Sequence, residues 1–86
     1  MIKGKTESGF EFEITEEALD DYELLEALHK ADKGDTGYLT EAVNLLLGDQ
    51  VTELKEHVKE IHGRVSMKAM FDEVTQIFGA NKEIKN

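Results

Sequence analysis

Between Ile2 and Ile14 apolar and polar residues alternate, so that Phe10, Phe12 and Ile14 fall on one face and Glu11 and Glu13 on the other. A period of two is the mark of a half-buried strand. Glu7-Ser8-Gly9 interrupts the alternation with turn chemistry and predicts a short two-strand hairpin. A lone hairpin is only marginally stable in water, so its Phe10/Phe12/Ile14 face must lie on other apolar elements.

After Ile14 the period lengthens to that of helices. Thr15 followed by Glu16 and Glu17 offers a hydroxyl N-cap with carboxylates in the first turn, and Asp20 offers a second, later start. At 100° per residue Ala18, Tyr22, Leu24, Leu25, Leu28 and Ala31 cover one side, which predicts a core-facing helix that DKGDTG (residues 32–37) then breaks. Leu39, Ala42, Val43 and Leu46 follow i, i+3, i+4, i+7 in a second helix, which Leu45 and Leu47 widen and which Gly48 stops. Asp49 is placed to cap a third helix with a seam of Val51, Leu54, Val58 and Ile61, ended by Gly63. Ser66 is placed to cap a fourth, in which Met67, Met70, Phe71, Val74, Ile77 and Phe78 share a side and Gly79 closes the run. The expected fold is α+β and mostly α: an N-terminal hairpin and about four short helices packed as one small domain over residues 1–79. Residues 80–86, polar throughout except Ala80 and Ile84, read as a frayed tail.

Charge narrows the partners. Nineteen acids against ten bases give a formal charge of -9, and residues 1–48 hold twelve acids and four bases. Such a surface repels nucleic-acid phosphate and anionic membranes and favours basic or apolar partners. The chain has no Cys, and neither a signal-type apolar start nor an apolar run of membrane-spanning length. A protein of a reducing compartment, not inserted in a membrane, is expected.

The candidate chemistry is sparse. The carboxylates of Glu16, Glu17, Asp20, Asp21, Glu23 and Glu26 spread around a helix start, which is a solvated, dipole-favoured face rather than a paired acid and base in a pocket. DKGDTGYLTEAV, from Asp32, places Gly37 and Leu39 as in a calcium loop. It has Gly34, Thr36 and Val43 where the third, fifth and twelfth ligands belong. His57 and His62 are five apart and so diverge on a helix, and His29 stands alone. Ser8 and Ser66 have turn and capping roles, and the seven Gly approach no phosphate-loop spacing. No enzymatic activity, cofactor or metal is expected. The apolar helical positions exceed what a domain of this size easily buries. Tyr38, Leu45, Leu47 and Phe78, at the margins of their stripes, are the predicted partner or self-association surface.

The order of GFEFEI, EEALDDYELLEAL, LLLGDQVTELKEHV and GRVSMKAMFDEVTQIF resembles the tail assembly chaperones of long-tailed phages and prophages of Gram-positive bacteria. The resemblance spans nearly the whole chain without any single diagnostic motif. It implies a non-catalytic protein that binds the long helical tape measure protein, and through tail assembly meets the major tail protein. It also implies a longer frameshifted form of the same chain, action in the bacterial host cytoplasm and absence from the finished virion; the expectation of a homo-oligomer comes instead from the apolar margins at Tyr38, Leu45, Leu47 and Phe78. Ile84-Lys85-Asn86 can be encoded by an A-rich heptamer of slippery form. The alternative is an acidic DNA mimic or regulatory protein that occupies a basic protein surface.

Overall fold

The structure, a computed structural model, describes residues 1–79; the tail expected at 80–86, with Ile84-Lys85-Asn86, lies outside the described residues. Strands β1 (Ile2–Lys5) and β2 (Glu11–Ile14) form an antiparallel pair in the register Ile2↔Ile14, Gly4↔Phe12. The Thr6 amide donates to the Phe10 carbonyl and the Gly9 amide to the Thr6 carbonyl, closing a three-residue loop. Gly9, at φ 98, supplies the positive φ this loop demands. Phe12 lies over Gly4, where an added Cβ would come within 2.6 Å of the ring. The glycine therefore makes room for the aromatic residue across the pair.

The hydrogen-bonding phase follows from the edge. The Gln50 side chain accepts from the Glu13 amide at 2.8 Å, and its own amide donates to the Glu13 carbonyl. The backbone of Glu13 thus points away from β1, while Phe12 and Ile14 exchange bonds with β1. One glutamine amide closes part of an edge that would otherwise be open to another strand.

The helix expected from residue 16 onward is two helices. Thr15 caps α1 (Glu16–Leu19) by accepting from the Ala18 amide, as its hydroxyl predicts. Asp21, not Asp20, then caps α2 (Tyr22–Asp32), its Oδ1 accepting from the amides of Glu23 at 2.9 Å and Leu24 at 3.4 Å. A side chain that takes these amides leaves its own backbone extended, and the helical phase restarts there. Leu19 and Leu24 both reach the core as a result, whereas Tyr22 and Leu25, expected inside, are turned to solvent.

α3 (Gly37–Leu47) packs most extensively on α2 and ends at Gly48, whose φ of 55 and ψ of -122 turn the chain without entering the left-handed helical well. A 3-10 turn, Gly48–Gln50, comes next, so Gln50 rather than Asp49 stands at the N-cap of α4 (Val51–His62), without a side-chain capping bond. Ile61, expected in the α4 seam, is exposed. Ser66 caps α5 (Met67–Gly79) by accepting from the Ala69 amide at 3.2 Å. The core joins Phe10 at the end of the hairpin loop and Phe12 and Ile14 of β2 to all five helices, with Leu24, Leu54, Val58, Val74 and Ile77 fully buried. Burial of each contributes roughly 1.5–3 kcal/mol. The fold is α+β and mostly helical, one compact globule with the hairpin against the helices. No helix among the described residues is long and apolar enough to cross a membrane.

Candidate functional site

The stripe of α5 and the side it buries do not coincide. By pattern, Met67, Met70, Phe71, Val74, Ile77 and Phe78 centre on Val74, yet the buried residues are Met70, Glu73, Val74 and Ile77. At 100° per residue this is a rotation of about 50°. It carries Glu73 into the interior, leaves Met67 exposed and sets Phe71 and Phe78, half-buried, at the edge of the core. A charged residue inside and a row of large apolar ones at the rim are unusual enough to locate function.

Met67, 59% exposed, separates two adjoining clefts. The larger, of about 420 Å³, has Leu39 and Val43 of α3 as one wall, Val51 of α4 as another, and Val65 and Met70 near the turn into α5. Val65 is 40% exposed although apolar. The smaller, of about 250 Å³, continues past Met67 between Ala31, Thr36, Leu39 and Phe71. Lys55 stands at the first cleft, Lys68 and Asp32 at the second. Thr40 and Asn44 of α3 line the larger cleft as well, so the trough is largely apolar with polar and charged edges. It can seat apolar side chains projecting from a helix, with Met67 able to repack around them.

The four surface residues expected from sequence do not line this trough. Leu47 is 4% exposed and belongs to the core, because the turn at Gly48 swings α4 and the hairpin over it. Tyr38, Leu45 and Phe78 are half-buried, packed against the core. Phe78 shares the α5 flank of Met67 and Phe71. Tyr38 carries Lys30, whose Nζ lies 4.5 Å from the ring centroid and 3.5 Å from Oη. The hydrogen bond to Tyr38 raises the Lys30 pKa above its ordinary 10.5. Met67, by contrast, belongs to a Met67/Met70/Phe71/Phe78 stripe that reads from sequence as core ahead of an adaptable binding surface, and nothing in its local pattern reports the rotation that exposes it.

A second cluster joins residues far apart in the chain. Ser8 Oγ donates to Glu73 Oε2 at 2.6 Å, and lies 3.0 Å from His57 Nε2 and 3.2 Å from Thr6 Oγ1. A hydroxyl has one proton and two lone pairs. With its proton on Glu73, Ser8 accepts from both Thr6 and His57, and Thr6 in turn accepts from the Phe10 amide. The Glu7 amide donates to Gln76 Oε1 at 2.8 Å. This arrangement docks the hairpin tip onto α4 and α5. It does not activate Ser8 for attack: both lone pairs are filled, and His57 donates where a general base would accept. The amides of Glu7, Gly9 and Phe10 are also engaged, so the loop offers them to no oxyanion. Glu73 is 5% exposed, and its Oε1 has no hydrogen-bond partner among the described residues.

The candidate calcium loop is not a twelve-residue loop. Asp32 ends α2 and Gly37 begins α3, so residues 37–43, which would carry half the ligands, are helical. Among the described residues no group of three or more His, Cys, Asp or Glu is placed to hold a metal ion. His57 sits at Ser8, and His62 lies beside a polar cleft of about 510 Å³ that Ser8, Glu73 and Gln76 of the same cluster line together with Asp72. Comparison with protein-family models, curated proteins and solved structures finds no match to this chain.

Proposed function

We propose that this chain is a non-catalytic binding domain that shields apolar segments of a helical client, in the manner of a tail assembly chaperone bound to a tape measure protein. The observation that carries the binding role is the trough around Met67, an apolar concavity with exposed Val65 and Met67 on a domain of charge -9. Helix-in-groove recognition uses such a trough for anchors at i, i+3 or i+4 and i+7 of the partner. The surrounding charge keeps the protein soluble while that surface stays open. The identity of the client rests on the resemblance in sequence order; host cytoplasm, the major tail protein and a frameshifted longer form come with that identity.

Coexpression with the tape measure protein of the same genome tests the proposal. The expected result is a higher soluble yield of that protein and copurification of the two, both lost in Met67→Glu, with binding little altered by salt. No copurification, or binding indifferent to Met67→Glu, overturns it. The alternative, an acidic mimic of nucleic acid, predicts a basic partner whose binding collapses as salt rises.

A further inference from the structure

We infer that, when no client occupies it, the trough around Met67 reversibly accepts the outward stripe of α2 from a second copy of this chain, an inference that rests on the binding role proposed for the trough. The restart of helical phase at Asp21 leaves Tyr22 72% and Leu25 48% exposed, with His29 one turn further along the same side. These three positions span about 10 Å of helix. Among the described residues no element covers them, because α2 buries its opposite face, Leu24 and Ala27, against the domain. The end of α2, at Ala31 and Asp32, is itself a wall of the smaller cleft. A helix cannot fold into a trough it helps to build, so only another molecule can bring the stripe there.

Charge selects this occupant. Residues 16–32 hold seven acids and one base, whereas the charged residues lining the two clefts are Lys55, Lys68 and Asp32, a rim with one net positive charge. Lys55 at the larger cleft makes no ion pair among the described residues, and Lys68 at the smaller pairs only with Asp72, at 3.5 Å. Glu26 lies between Tyr22 and His29 on the outward face of α2, a short acidic neighbour for such lysines. Seating Tyr22 and Leu25 beside Met67 and Val65 removes four exposed apolar side chains from water at once. It also sets acidic edge against basic edge, which fixes the orientation.

The test needs this chain alone, so its outcome is separate from that of the client experiment. Sedimentation velocity over a hundredfold range of concentration is expected to show mass rising above the monomer. Leu25→Asp and Met67→Glu should each weaken association about tenfold or more, as hot-spot positions do. Both side chains are exposed, and circular dichroism melts establish that the variants fold. Mixing the two variants is the decisive measurement, because one keeps the trough and the other the stripe: a one-to-one pair should form that neither forms alone. Lys55→Glu should weaken assembly, and adding Glu26→Lys should recover it. Wild-type chain that stays monomeric throughout, single variants that assemble normally, or mixed variants that fail to pair would each overturn the inference.

Discussion

Ser8→Ala removes one hydroxyl from an exposed turn, a change that ordinarily shifts stability by less than about 0.5 kcal/mol. Here a much larger loss is expected. Glu73 is buried, its Oε1 is already without a partner among the described residues, and Ser8 is the donor to its Oε2. The substitution therefore strands a whole carboxylate inside the domain. A hydrogen bond to a charged group contributes about 1.5–3 kcal/mol, and an orphaned buried group carries a penalty of similar size. Against a total of roughly 4–12 kcal/mol for a domain of this length, a loss of about 2–3 kcal/mol is severe. It corresponds to a fall in Tm of roughly 10–20 °C. His57 is free to bond water after the change and adds little. The check is a melt of Ser8→Ala beside Ser8→Ala/Glu73→Met, in which no buried carboxylate remains. The double variant should recover most of the loss, since replacing both partners by apolar groups is nearly neutral. A Tm for Ser8→Ala within about 2 °C of wild type, or a double variant no better than the single, would refute the reasoning.

Two further substitutions probe the hairpin. Gly4→Ala puts a methyl 2.6 Å from the Phe12 ring, so the ring must leave its seat; a loss of about 1–3 kcal/mol is expected by denaturant unfolding, and a neutral result would mean that the ring does not lie over Gly4. Gln50→Ala removes the side chain that closes the Glu13 edge. Exchange of the Glu13 amide should then speed up roughly tenfold, while that of Ile14, bonded to β1, should stay slow; equal acceleration of both would show that the clasp holds the whole hairpin rather than its edge.

The local signals in this chain were readable because each depends on neighbours in sequence. Alternation set Phe10, Phe12 and Ile14 inward, and Thr15 and Ser66 capped helices through amides three residues ahead. The errors lie where a global choice overrode a local one. Asp20 and Asp21 are equivalent by pattern as caps, and the chain takes Asp21 because that restart brings both Leu19 and Leu24 to one core. The same restart discards Tyr22 and Leu25. On α4 and α5, Ile61 and Met67 satisfy a stripe that the packing does not use in full, and Leu47 looks marginal until Gly48 folds the next segment over it.

The cluster at Ser8 was almost invisible for the same reason. His57 and Glu73 lie 49 and 65 residues from Ser8 along the chain and meet it only because the hairpin tip lands between α4 and α5. By itself, then, the sequence determined which segments are strand and helix, where most of them begin and end, and that the surface is strongly acidic, since these follow from period, capping and composition. Only the tertiary structure decided how far each helix is turned about its axis, because that angle is set by the fit of all the elements together. A turn of about 50° on α5 is what separates the buried Glu73 from the exposed Met67.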